Sequence, residues 1–424
     1  MSTAAPPTTE SDRASPSSAS QRGLDWFIFC VADIQTGFGP FIAVYLTTQK
    51  WTQADIGLVL TIGGVIGLIG QMPGGAIVDA VRSERLAAAL GVVGIGLSAL
   101  ILAIWPIFIV VVAARILHAA ASCVLGPAMA AISLGLVGHA AIGERLGRNA
   151  RFASIGNGLS AAVMGAFGYF LSSASVFFVT AALVIPALFA LFKIRADEID
   201  PEKAHGGVPQ PSAAGLGDGV RLLLHNRPLL ILAACMALFH LANAAMLPLV
   251  ATTATKRTPE WAPILIATCI VLPQIVVAAF SPWVGRHAQM VGRKSLLLAG
   301  FFAMAARGAL FAFLSEPYFL VAIQLLDGIS AAVLGVLVPL IVADATRGTG
   351  RFNLAQGIVG TAIGIGASMS GLLAGYSADV LGSRPTFLLM SLAGLAGAAL
   401  VWRYLPETRT MAVSGARPRP LCRG

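Results

Sequence analysis

The chain has 424 residues, 57% of them hydrophobic and only 11% charged, with a mean hydropathy of +0.83; soluble domains carry about a quarter charged residues, so a soluble globular protein is excluded. The formal charge of +9 does not mark a nucleic-acid binder, because the basic residues fall in short loops between apolar runs, where they act as a topology signal. Roughly a dozen apolar runs approach the ~20 residues an α-helix needs to cross a ~30 Å hydrocarbon core, and they lack the alternation of a membrane barrel.

Residues 1–23, rich in Ser, Thr, Pro and Ala, are expected to be disordered, and no cleavable signal peptide is evident. Helices are predicted at residues 24–47, 54–80, 86–105, 107–137, 149–171 and 174–194, a first bundle of six spanning 24–194. Charge, Gly and Pro then mark a linker at 195–227. A second bundle, 228–404, holds predicted helices at 228–252, 261–287, 294–314, 317–345, 352–380 and 384–404, and residues 405–424 form a tail. Nearly all Lys and Arg fall on the side of the termini and the linker. The exceptions are Lys50, Lys256, Arg257 and Arg384 on the other side, and Arg115 and Arg307 inside the membrane. The positive-inside rule therefore predicts that both termini and the linker are cytoplasmic.

The two bundles read as copies. Residues 115–126 (Arg-Ile-Leu-His-Ala-Ala-Ala-Ser-Cys-Val-Leu-Gly) share a frame with residues 324–335 (Gln-Leu-Leu-Asp-Gly-Ile-Ser-Ala-Ala-Val-Leu-Gly), placing Gln324 at Arg115 and Asp327 at His118. Gln35 and Pro40 likewise correspond to Asn243 and Pro248, and Gly75 to Gly285. Six helices with both ends on one side, repeated, give parallel halves, with a substrate site expected between them near the midplane. The cysteines, Cys30, Cys123, Cys235, Cys269 and Cys422, are odd in number and lack metal-site spacing, so they are not a disulfide framework. A thiol relay through Cys30, Cys123 and Cys235 is the alternative to simple apolar packing.

Two loop motifs give the chain a resemblance to the major facilitator superfamily over nearly its whole length. The first is Gly75-x-x-x-Asp79 with Arg82 and Arg85 after helix 2; the second is Gly285 with Gly292-Arg293-Lys294 after helix 8, where Gln289 stands in place of the acid. The resemblance implies an all-α integral membrane protein, twelve transmembrane helices in two parallel six-helix halves. It also implies gating by Gly75, Asp79, Gly285, Gly292, Arg293 and Lys294, with Asp79 against the N-terminus of helix 11. Because Gln289 carries no charge, that lock is expected to be one-sided. An acid on helix 1 (Asp33) with an arginine on helix 4 (Arg115) is similar to proton-coupled exporters, although their helix 5 signature survives only as Gly156, Gly158 and Gly165 without its Pro.

An ionised side chain at the bilayer centre costs about 2.5–3.5 kcal/mol on insertion scales, so each one needs a partner, water or a role. Asp33 close to Arg115 is read as a proton-coupling pair, with a static ion pair between helices 1 and 4 as the bland alternative. His118 and His240 are read as relay groups or as hydrogen-bonded packing residues. Asp327 is read as a cavity acid, with Gly328 beside it admitting a neighbouring helix, and Arg307 as structural or snorkelling. Gln35, Gln71, Asn157, Asn243, Gln274 and Gln356 are the neutral polar candidates for the substrate cavity, the alternative being interhelical hydrogen bonds.

The expected function is a monomeric secondary transporter of a bacterial inner membrane. It would export a small organic molecule in exchange for protons by alternating access, with no cofactor and no bound metal, and with the lipid bilayer as its surroundings. No ATP-binding or nucleophile motif is present, which sets aside ATP-driven transport and an enzyme. A proton symporter importing an organic solute is the alternative within transport. A non-transporting membrane receptor is the alternative outside it.

Overall fold

The computed structural model describes residues 16–36, 39–207, 216–257, 262–314 and 316–409. Among these residues every regular element is a helix. This is what lipid demands, because a helix satisfies its backbone hydrogen bonds within itself.

The first half contains helix 1 (Ser18–Thr36, resuming as Gly39–Thr48), helix 2 (Gln53–Ile69 and Gln71–Ala80) and helix 3 (Glu84–Ile104). Helices 4 and 5 lie within one assignment, Phe108–Phe170, and helix 6 comprises Ser175–Ala182 and Val184–Phe192. The second half contains helix 7 (Arg227–Asn243 and Met246–Arg257), helix 8 (Ala262–Met290), helix 9 (Arg293–Phe313), helix 10 (Pro317–Ala345), helix 11 (Phe352–Leu381) and helix 12 (Ser383–Tyr404). Among the described residues nine helices are long and apolar enough to cross a membrane, or ten when the two parts of helix 2, bent by 47°, count as one span.

Phe108–Phe170 makes two passes. Gly138 adopts φ 66°, ψ 179°, a left-handed region that a side chain disfavours, and there the chain reverses. Asn149 Nδ2 donates to Ser133 Oγ at 2.8 Å; in a straight helix, at 1.5 Å per residue, those groups would lie roughly 24 Å apart. Helix 5 therefore starts just after Gly138, earlier than the predicted 149, and the basic stretch read as a loop is its first turns. Helix 1 also starts earlier, at Ser18. Disorder was expected over residues 1–23, but 18–23 are helical because they form the first turns of helix 1; residues 1–15, and 410–424 of the expected tail at 405–424, lie outside the described residues.

The stretch between the bundles has structure of its own. After a 3-10 turn at Ala196–Glu198, a short helix, Pro201–Ala204, begins with Asp200 as its cap, the side chain accepting from the backbone N–H of Glu202 (3.1 Å) and Lys203 (3.4 Å). A further helix covers Leu216–Leu224. Asp200 N donates to Gly135 O at 3.1 Å, tying this segment to the end of helix 4.

Buried apolar residues form two clusters, one in each half, but the second also takes in Leu134, Ile142 and Leu146 of helices 4 and 5. The halves share a core on the side that carries the linker, hereafter the linker side.

Candidate functional site

Two helix pairs cross between the halves, and both are closed on the linker side and parted on the other. Along helices 2 and 11 the backbones meet at Gly75 against Asn353 and at Gly357 against Gln71, so closely that a Cβ on either glycine would collide with a backbone oxygen. Farther along, Gly57, Gly64 and Gly67 of helix 2 and Gly371 and Gly375 of helix 11 face open space, with no neighbour within 4 Å. Helices 5 and 8 repeat the pattern. Gly143 packs on Gly285, and a Cβ on Gly147 would lie 2.5 Å from Ser281 O, whereas Gly165 faces open space.

At the apex of this wedge lies a cavity of about 590 Å³, lined by both halves, within the size range of small-molecule sites. Four of the six neutral polar residues singled out from the sequence line it together: Gln71 on helix 2, Asn157 on helix 5, Gln274 on helix 8 and Gln356 on helix 11. Gln71 Nε2 donates to Gly67 O at 3.1 Å and lies 3.7 Å from Cys123 Sγ, whose thiol in turn donates to Gly67 O at 3.4 Å. The other two are elsewhere. Gln35 is half-buried at the end of the first part of helix 1, outside the lining, and Asn243 accepts a hydrogen bond from Arg307 Nη1 at 2.7 Å.

The charged candidates do not line the cavity. Asp33 is 4% exposed and its Oδ1 has no hydrogen-bond partner, while its backbone oxygen accepts from Ser160 Oγ at 3.2 Å. The guanidinium of Arg115 instead lies over helix 2, where a Cβ on Gly63 would sit 2.7 Å from Nη2, and its Nε is also without a partner. The pairing expected of Asp33 and Arg115 is therefore absent from this state. Asp327 is paired with Arg307, whose side chain is 1% exposed. Arg307 is thus a buried ion-pair partner, which is the structural role and not the snorkelling one of the two expected. Gly328 admits helix 8 as expected, packed on Val276 and 2.8 Å, measured from a built Cβ, from Pro273 O. His118 and His240 are half-buried; His240 Nδ1 lies 3.0 Å from Met236 O, one turn back on its own helix. Gln324, at Arg115's place in the repeat, is 1% exposed with neither side-chain polar atom hydrogen-bonded.

On the linker side Asp79 sits against the first turn of helix 11. Its carboxylate accepts from the backbone N–H of Asn353 at 3.2 Å, from Leu354 N at 2.8 Å and from Asn353 Nδ2 at 2.9 Å. A carboxylate on otherwise unsatisfied N–H groups is how a helix N-terminus binds an anion. The linker closes over the same point: His205 O accepts from Phe352 N at 3.1 Å, and His205 Nε2 reaches Glu84 Oε1 at 3.2 Å. Burial pulls the His205 pKa down, but the hydrogen bond to Glu84 and the charges of Asp79 and Glu84 outweigh it and raise it above the usual 6.5.

In the second half Gln289 Nε2 reaches Ala140 O at 3.5 Å, at the start of helix 5. Arg293, 2% exposed, donates to Asp344 (3.0 Å), Ala288 O (3.0 Å) and Gln289 Oε1 (3.4 Å). Glu407 caps helix 9 by accepting from Arg293 N at 2.9 Å and Lys294 N at 3.1 Å, made possible by Gly292 at φ 100°.

One cluster had no counterpart in the sequence reading. Buried Asp25 of helix 1 holds Arg145 at 2.5 Å and also Arg148, both on helix 5, and Arg145 Nε donates to Asn149 Oδ1 at 2.7 Å. The i, i+3 spacing of Arg145 and Arg148 was visible; the acid they share was not.

The family model described as Major Facilitator Superfamily matches residues 26–257 and 232–421. An uncharacterised MFS-type transporter of Mycobacterium tuberculosis is 39% identical over 398 residues, 91% of this chain and 93% of the relative. A chloramphenicol resistance protein of Pseudomonas aeruginosa is 26% identical over 141 residues, 33% of this chain and 34% of its own. Among solved structures, an Escherichia coli fucose:proton symporter has a TM-score of 0.74 at 15% identity, covering 90% of this chain and 97% of that one. At that identity the likeness is one of fold.

Proposed function

Because the chain belongs to the major facilitator superfamily and is therefore a multi-pass membrane transporter, we propose that it exports a small organic molecule from a bacterial cytoplasm in exchange for protons. The observation that carries the reading is the wedge. Two helix pairs meet on one side and part on the other over a cavity lined by both halves, which is the geometry of one end state of alternating access. The distribution of basic residues makes the closed, linker side cytoplasmic, so the cavity faces outward. The similarity to a chloramphenicol resistance protein favours export.

In this reading Asp79, Gly75 and Gly285 belong to the cytoplasmic gate, while Gly292, Arg293 and Lys294 brace the second half behind it. Gln71, Asn157, Gln274 and Gln356 contact substrate. Asp33 is the coupling acid. An ionised carboxylate buried without a partner is costly, and Asp33 is buried with Oδ1 unpaired, which favours holding a proton here and releasing it where the surroundings become polar. Arg115 supplies the counter-charge in another state, and Asp327, held by Arg307, is the second-ranked acid.

The test is flux in proteoliposomes with an imposed pH gradient, using chloramphenicol as first probe and substrates found by thermal stabilisation as the next. Asp33→Asn is expected to abolish uphill movement while sparing downhill exchange. Uphill transport by that variant would reassign coupling to Asp327, and uptake into the cytoplasm-equivalent compartment would replace export with symport.

A further inference from the structure

The polar side chains that line the cavity are all uncharged. Gln71, Asn149, Asn157, Gln274 and Gln356, carboxamides drawn from helices 2, 5, 8 and 11, line it with the hydroxyl of Ser154, and among the described residues no Asp, Glu, Lys, Arg or His does. A carboxamide offers a donor and an acceptor but no counter-charge. Charge is present close by and is kept out. Arg145 stands behind Asn149, whose Oδ1 accepts from Arg145 Nε at 2.7 Å and whose Nδ2 donates to Ser133 Oγ at 2.8 Å, and Asp25 neutralises that arginine at 2.5 Å. Arg307 and Asp327 cancel each other. Lining side chains keep unused hydrogen-bonding capacity: Gln356 Nε2 is buried without a hydrogen-bond partner, and Gln71, its Nε2 engaged with Gly67 O at 3.1 Å, leaves Oε1 as an acceptor.

We propose that the cavity is built for an electroneutral molecule, an apolar body carrying amide or hydroxyl groups, and that it discriminates against organic cations and anions alike. This rests on the transport reading and gives its substrate class. A charged guest would leave water for apolar walls and uncharged amides, with nothing to replace its hydration. A neutral guest exchanges hydrogen bonds with water for hydrogen bonds with Gln356 and Gln71.

Cavity charge selection can be read without knowing the substrate. In an Asn157→Cys variant the introduced thiol lies in the cavity, and its labelling rate is measured with three methanethiosulfonates carrying hydroxyethyl, trimethylammonium-ethyl or sulfonatoethyl groups. Rates are normalised to Gln49→Cys, at an exposed position outside the cavity, with the unsubstituted chain as background for its native thiols. The neutral reagent is expected to react at position 157 at least tenfold faster than either ion. Adding Gln274→Glu to Asn157→Cys is expected to bring the cationic reagent well ahead of the anionic one. Comparable rates for all three reagents, a preference for one ion before the glutamate is added, or failure of the neutral reagent to reach position 157 would each overturn the proposal. Labelling does not depend on turnover, so a failure of the exporter reading in the flux assay leaves this result standing or falling by itself.

Discussion

Between helices 2 and 11 the linker side is closed by a carboxylate, with Asp79 gathering two backbone N–H groups and one side-chain amide from across the interface. Between helices 5 and 8 it is closed mainly by backbone, Gly143 on Gly285 and Gly147 on Ser281, with Arg151 Nε donating to Ala278 O at 2.9 Å and Gln289 adding a 3.5 Å contact to Ala140 O. The second half keeps its charge, but turns it inward: Arg293 binds Asp344 and Glu407 caps helix 9, all within that half. Copies of one repeat have thus divided two tasks. One holds the halves together with a bond that can be broken, and the other stiffens a single half.

This division is open to attack at four points. The largest effect is expected from Arg293→Ala, which strands buried Asp344 without its cation; losing one partner of a buried pair costs about 3–5 kcal/mol. Thermal unfolding of the purified protein should show the loss, while spin-label distances between the halves stay put. A widened linker side with unchanged stability would show that Arg293 acts across the interface after all.

Asp79→Asn comes next, because it removes a charged acceptor that bridges the halves. Hydrogen bonds to a charged group are worth about 1.5–3 kcal/mol each, an Asn oxygen can keep part of that, and a net loss of ~1.4 kcal/mol is a tenfold change in population. In distances measured by double electron resonance between the linker-side ends of helices 2 and 11, the ratio of lengthened to closed molecules should rise about tenfold. An unchanged distribution would remove Asp79 from the gate.

His205 should add a pH-dependent part to the same closure. Its pKa is raised in the closed state, so the stabilisation from Glu84 and Asp79 is complete below the usual imidazole value and is lost as pH rises through the raised one. The closed population should therefore be larger at about pH 6 than at about pH 8.5, and His205→Gln should flatten the difference. A pH response that survives in the variant would place the titrating group elsewhere.

The smallest effect is expected from Gln289→Asp, which restores a carboxylate near the start of helix 5. A favourable charge at a helix N-terminus contributes about 0.3–1 kcal/mol, so the linker-side ends of helices 5 and 8 should close slightly more often in the same distance measurement. A clear opening would mean that the Gln289 contact to Ala140 O matters more than the missing charge.

The fold was legible in the sequence to an unusual degree, and the site less so. Hydropathy places most spans to within a few residues because lipid forces every crossing segment to be a helix with apolar sides. It missed the start of helix 5 because Arg145 and Arg148 read as loop charges, whereas Asp25 lets them sit inside the bundle. Gln71, Asn157, Gln274 and Gln356 were legible as polar residues at membrane depth, and the wedge brings them together. Asp33 and Arg115 were paired on depth and on their resemblance to exporters. Depth does not fix rotation, and here Arg115 turns toward Gly63 of helix 2.

By itself, then, the sequence determined the number of helices, the duplication, the side that carries the basic residues and the single intact acid of the loop motifs, Asp79. Each of these is a property of composition along one chain, read out by the bilayer. Only the tertiary structure decided which charges neutralise each other, Asp25 with Arg145 and Arg307 with Asp327, and hence that the cavity is left with uncharged polar groups. An ion pair between helices depends on their rotation and register to within a few ångströms, and those are set by side-chain packing across the whole bundle.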